Sequence, residues 1–202
     1  MYDFQQNKST KASIAHRKLA YGIGINNADY ITQPTANGKF PRCPYYEKWI
    51  DMIKRCYSDK FQEKNKSYIG CTTSISWHNF MEFRVWMDNQ DWEGMELDKD
   101  IKIKGNKLYS PDTCLFVPKR LNSLLNTQSV QRGKYPTGVC SKKGTNKLRA
   151  YIQDKGKQTY LGLFSTVDLA NSAYKKARKE KIQQLIDDNT YPMATAYLGQ
   201  HI

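Results

Sequence analysis

The sequence predicts an α+β protein: an N-terminal helical module carrying a beta-beta-alpha unit, then a three-stranded antiparallel sheet packed on one helix. Three observations carry this prediction. Pro44–Tyr57 places Trp49, Met52, Ile53 and Cys56 at helical spacing behind a proline, where a missing N–H costs nothing. Leu148, Ala150 and Ile152 alternate with Arg149, Tyr151 and Gln153, the period of a strand with one dry face. Between the two patterns lies a polar stretch without periodicity, residues 127–132. The expected division is a polar arm (1–40), a first module (41–126), a linker (127–132), a second module (133–188) and a tail (189–202).

Size and charge narrow the function. A chain of 202 residues suits one large domain or two small ones. It has 32 Lys and Arg against 19 Asp and Glu, a formal net charge of +13, which favours a polyanionic partner. Nucleic acid fits better than a membrane: there is no basic amphipathic helix with a bulky apolar face and no apolar run long enough to span a bilayer. Nor is a small-molecule substrate expected. The start, MYDFQQNKSTKAS, has no apolar signal core, so a cytoplasmic protein is expected. Of the five cysteines, Cys43, Cys56, Cys71 and Cys114 lie in the N-terminal half without a CxxC pair. Reduced buried thiols are expected there, and a structural zinc is not.

In chain order, the arm is polar, with turn signals at Asn26–Asn27 and Asn37–Gly38, and its first dozen residues read as loose. Helix 44–57 follows. Residues 58–67 are charged and read as a loop, and 68–71 as a short strand. A second helix near Ser76 places Trp77, Phe80, Phe83 and Trp86–Met87 on one side. His78, inside it, reads as a surface or packing histidine or as a catalytic one. Residues 96–103 alternate as a strand, 114–117 form a buried strand, and Pro118 opens a helix with Leu121, Leu124 and Leu125 inward.

In the second module, 136–142 reads as a first strand, 148–153 as a second and 158–164 as a third. Ser165 is expected to cap a helix, with Asp168 as capping-box partner. That helix offers Leu169, Ala170, Ala173, Tyr174 and Ala177 to the sheet, and it ends near Asp188. The outer sheet face carries Lys142, Arg149, Tyr151, Gln153, Gln158 and Tyr160, with Lys143, Lys147, Lys155 and Lys157 around the turns. Such side chains hold phosphates or reach base edges, but a charged face can equally be only solvated.

Several residues here resemble the plant ethylene-response-factor (Apetala-two) DNA-binding domain, which also occurs in phage homing endonucleases. They are Gly138–Val139, Lys147–Leu148–Arg149–Ala150, Ile152, Tyr160–Leu161–Gly162–Leu163–Phe164, Thr166 and Ala170 through Tyr174. The resemblance implies a sheet that reads the major groove. The family's DNA-contacting positions fall on Thr137, Cys140, Lys142, Thr145, Tyr151, Gln153, Gln158 and Tyr160, several of which are arginine or tryptophan in the plant domains.

The stretch from Met95 to Leu125 resembles the HNH nuclease motif. That resemblance implies a divalent metal, Mg or Mn, held by Asp98 and Asn122, with Asn106 bracing the loop. A general-base histidine is expected beside the aspartate, but Lys99 stands there. At neutral pH a lysine carries its proton, so Lys99, Asp100 or a distant histidine such as His78 would have to serve as base. Three readings stay open: a degenerate scaffold that does not cut, a working metal nuclease, and a plain solvated Asp–Lys–Asp segment.

Together these expectations describe a duplex-DNA-binding protein of the phage HNH homing-endonuclease type, acting in the bacterial cytoplasm if phage-encoded. Arg149, Tyr151, Gln153 and Tyr160 would face bases, while Lys142, Lys143, Lys147 and Lys157 hold phosphates and Gln158 is a further DNA-contacting residue. The alternative is a noncatalytic DNA-binding protein, regulatory or counter-defence, with a degenerate nuclease fold. An RNA binder using the same face is a third reading.

Overall fold

Residues 3–35, 41–125, 134–154 and 157–202 are described by a computed structural model. The expected linker 127–132, the turn at Asn37–Gly38 and Lys155 lie outside the described residues. The chain is α+β and forms two compact units from interleaved stretches: Met1–Glu93 with Gly105–Phe116, and Gly94–Lys104 with Val117–Ile202.

The first unit is built on helix α2 (Pro44–Tyr57), which buries Trp49, Met52, Ile53 and Cys56 as its spacing predicts. Helix α4 (Phe80–Asp88) packs against it with Phe80, Phe83 and Met87 inward. The indole N–H of Trp49 donates to the carbonyl of Trp77 at 2.8 Å. The described part of the arm, residues 3–35, is folded, including the stretch before residue 13 expected to be loose. It forms a 3-10 turn (Phe4–Gln6) and helix α1 (Lys11–Ala15), and Ala28 and Tyr30 are buried. Arg17 causes this: its guanidinium donates to the carbonyls of Asn26 (2.9 Å), Ala28 (2.7 Å) and Tyr30 (3.0 Å) and to Ser9 Oγ (2.7 Å). One cation thereby gathers backbone that no apolar periodicity marks.

Three local expectations in this unit are corrected. Residues 58–67 are not a loop, because Ser58 caps helix α3 (Asp59–Lys64) by accepting from Phe61 N. The strand expected at 68–71 is displaced to β1 (Thr72–Thr73), parallel to β3 (Leu108–Tyr109), beyond Gly70 with its φ of +76°. The helix expected from Ser76 is broken at Asn79. There the arm takes over the backbone bonding: Ile25 N donates to His78 O, and Phe80 N to Ile25 O.

The second unit contains β2 (Met95–Asp98), shorter than the strand expected over 96–103, and helix α5 (Lys119–Leu125), which buries Leu121 and Leu125. The buried strand β4 (Leu115–Pro118) carries the chain across the division between the units. The unit's sheet is antiparallel in the order β5 (Val139–Ser141), β6 (Leu148–Asp154), β7 (Lys157–Phe164). Val139, Leu148 and Ala150 form its inner face, packed on Ala170 of helix α6 (Val167–Asp187). The cap of α6 is Thr166, whose Oγ1 accepts from Leu169 N, not Ser165; the register moves by one and Asp168 no longer stands at the capping-box position. Leu169, expected against the sheet, is instead 54% exposed, while Ala170 and Tyr174 are buried as expected.

The tail belongs to this unit. Helix α7 (Pro192–Leu198) and a 3-10 turn (Gly199–His201) pack on α6, burying Ala194, Leu198 and His201. Gln200 Nε2 donates to the carbonyls of Ile101 (2.7 Å) and Lys102 (2.9 Å), and the His201 ring meets Ile101 O at 3.1 Å. Arg178 on α6 donates to the carbonyls of Leu124, Leu125 and His201 at 3.0, 3.1 and 2.9 Å. Two of these are carbonyls of α5, so one guanidinium joins α5, α6 and the 3-10 turn of the tail. Replacing Arg178 with alanine is therefore expected to cost about 2 kcal/mol, measured by urea unfolding. A loss no larger than that of an exposed lysine on α6, such as Lys175→Ala, would remove the staple from the account.

Candidate nucleic-acid interface

The sheet of the second unit has one sealed face and one open face. Leu148, Ala150 and Ile152 are buried, while Arg149, Gln153, Gln158 and Tyr160 are exposed and Tyr151 is half-buried. The alternation read from the sequence is thus realised. The register then puts these residues in cross-strand rows: Gln153 opposite Gln158, Tyr151 opposite Tyr160, and Arg149 between Cys140 on β5 and Leu163 on β7. Lys142, Lys143, Lys147 and Lys157 are exposed. Residues 134–164 hold seven Lys or Arg and one acidic residue, Asp154, so the field over this module is positive.

Two backbone features hold the face. Gly138 has φ +80°; its carbonyl accepts from Tyr151 N at 2.8 Å, which ties the chain entering β5 to the central strand. A register shift lies between Ala150 and Tyr151 on β6, opposite Leu161 on β7. The extra residue lets Tyr160 stay outside while Leu161 packs against the core. A bulge of this kind raises local twist and re-aims side chains.

The residues implied as a metal site also lie in the second unit. Asp98 is buried, with Oδ1 accepting from Asp100 N at 2.7 Å and Ile101 N at 2.8 Å. Burial is the largest influence on its carboxyl and pushes the pKa up; the two backbone donors pull against it. Lys99 is buried too, and its ammonium donates to Asp100 Oδ2 at 2.7 Å. Asn122 on α5 donates through Nδ2 to Glu96 Oε2 at 2.8 Å, a partner the sequence does not mark. Asn106, in the first unit, braces its own loop by bonding both the N–H and the carbonyl of Leu108.

This donor set suits a divalent ion poorly. One Asp98 oxygen already serves two amides, and the Asn122 amide faces a carboxylate as a donor. Among the described residues, no three His, Cys, Asp or Glu side chains group closely enough to hold a metal ion. His78, the distant alternative base, lies in the first unit with its ring edge-on to Tyr57 and Nε2 buried. All five cysteines are thiols, four of them buried, and Cys140 is the partly exposed one. Among the described residues no helix is long and apolar enough to cross a membrane. Compared with protein-family models, curated proteins and solved structures, the chain matches none.

Proposed function

We propose that the protein binds duplex DNA by laying the outer face of β5–β6–β7 in the major groove, and that it does so without cutting. The observation that carries this is the outer face itself. Arg149, Tyr151, Gln153, Gln158 and Tyr160 project from three paired strands, lysines stand at the rim, and the reverse face is closed by α6. The major groove admits structures of this width, and lysines beside it neutralise phosphates. The duplex RNA groove is too deep and narrow for it.

The noncatalytic part of the proposal rests on the Asp98 corner. An aspartate that caps two amides and a lysine bonded to the next carboxylate are what a stable turn needs. The likeness to an HNH nuclease is then one of local sequence order, and the protein is a DNA-binding regulatory or counter-defence protein. Favouring the nicking alternative, Glu96 and Asp98 lie two residues apart on β2, and Asn122 reaches the first of them.

Gel retardation with random duplex tests the docking. Changing Lys142, Lys143, Lys147 and Lys157 together to glutamine is expected to weaken binding and to reduce the slope of log K against log salt by about 3 to 4. An unchanged slope, or better competition by duplex RNA than by DNA, would remove the sheet from the groove. Supercoiled plasmid with magnesium or manganese tests the rest: retardation without nicking is expected. Nicking that disappears in Asp98→Asn would instead make the corner a cutting centre.

A further inference from the structure

The cross-strand rows carry a prediction about sequence preference, which rests on the groove docking proposed above. We propose that the Gln153–Gln158 pair reads an adenine and that Arg149 reads a guanine about three to four base pairs away, with the Tyr151–Tyr160 pair filling the interval.

Spacing comes from the strand. Gln153, Tyr151 and Arg149 are alternate residues of β6 and share its outer face. At ~3.4 Å per residue the first and last are separated by roughly 14 Å. Base pairs rise ~3.4 Å each along the duplex axis, and the groove floor runs at a slant, so this length covers about three to four steps.

Chemistry assigns the ends. Gln153 and Gln158 stand directly opposite each other, both exposed. A carboxamide offers one donor and one acceptor side by side, which matches adenine N6 and N7. Arg149 has Cys140 and Leu163 as its cross-strand neighbours. Neither is acidic like Asp or Glu, so no carboxylate across the strands competes for the guanidinium fork, and guanine O6 and N7 are its bidentate match. Tyr151 and Tyr160 stand opposite each other between them, and aromatic side chains suit contact with thymine methyl groups.

The face is also preorganised. On the central strand β6, Arg149 is paired on both sides, the Tyr151 N–H is held by Gly138, and Gln153 is paired with β7. The three rows therefore keep a fixed spacing, and a fixed spacing in the preferred DNA is the signature to look for.

The test is selection of binding sites from a randomised duplex library with the full chain. An A·T pair and a G·C pair at constant separation should be enriched about tenfold over single mismatches. Gln153→Glu should turn the adenine preference toward cytosine, whose N4 amine donates to a carboxylate, while leaving the guanine position intact. Arg149→Ala should flatten only the guanine position. Because Gln153→Glu predicts a new preference, loss of folding cannot imitate success. Retained duplex whose pattern ignores both substitutions would overturn the assignment while leaving the docking standing. Failure to retain any duplex would overturn both.

Discussion

Gly138→Ala is expected to lower the stability of the second unit by about 4 kcal/mol, enough to unfold a marginal domain. Two costs add. Gly138 has φ +80°, where a Cβ meets the backbone and an L-residue loses about 1–2 kcal/mol. The Cβ would also overlap the ring of Tyr174 on α6 and stand 2.7 Å from the Tyr151 carbonyl, in a packed contact that offers no void. Forcing atoms into such a place costs about 1–3 kcal/mol. Gly144 is the control: its φ is +78°, but nothing lies within 4 Å of its Cβ position. Gly144→Ala should therefore show the backbone cost alone, about 1 kcal/mol. Chemical unfolding of the two variants checks the account, which fails if they are equally stable. The outer face should suffer with Gly138, since its carbonyl holds the Tyr151 N–H.

At Asp98 two substitutions are expected to part company. Asp98→Ala removes the acceptor of two backbone amides, one of them on buried Ile101, at a cost of about 3 kcal/mol. Asp98→Asn keeps an oxygen in the same place and should stay within about 1 kcal/mol of the parent at neutral pH. The two also differ in pH dependence. Burial raises the folded-state pKa of Asp98 above its ordinary value. Between that value, ~4, and the higher folded one, the native chain holds more proton than the unfolded chain. Stability therefore falls as pH rises through this window, because burial outweighs the two backbone donors and the Lys99 charge that pull the other way. Asp98→Asn should remove this contribution, leaving a flatter stability curve from pH 4 upward. Denaturant midpoints across pH measure both effects. If Ala and Asn cost the same, Oδ1 is not the cap described, and a role in chemistry gains ground.

Much of the second unit was legible because its signals are local. Period-two alternation at 148–153 names its own buried face, and Ala170 and Tyr174 sit one helical turn apart on α6. Helix 44–57 was equally plain, down to its four buried residues. The cap at Thr166 is not legible in the sequence, because Ser165 and Thr166 both have suitable hydroxyls and only the strand's exit decides between them. The folded arm was hidden for another reason. Arg17 works through carbonyls of Asn26, Ala28 and Tyr30, and backbone oxygens are the same in every residue. In the candidate site, the outward residues could be read from β6 alone, but their rows could not. The shift between Ala150 and Tyr151 sets which β7 residue faces which, and no residue type announces it. At the Asp98 corner, sequence order suggested a metal ligand, whereas the bonds to Asp100 and Ile101 N–H depend on how the chain turns after β2.

The tail's grip on the loop after β2 has a consequence for how the chain is made. Gln200 and His201 bond to Ile101, partners 99 and 100 positions apart. A ribosome adding about 5–20 residues per second delivers the later partners roughly 5–20 s after the earlier one. Throughout that interval the loop after Asp98 is synthesised but unlatched, and contacts of such separation are also the slow ones to close once both partners are made. Completion of the second unit is thereby tied to residues made about a hundred positions after that loop, so a transcript truncated before Gln200 would yield a nascent chain that keeps its three-stranded sheet but lacks the clasp on its Asp98 corner.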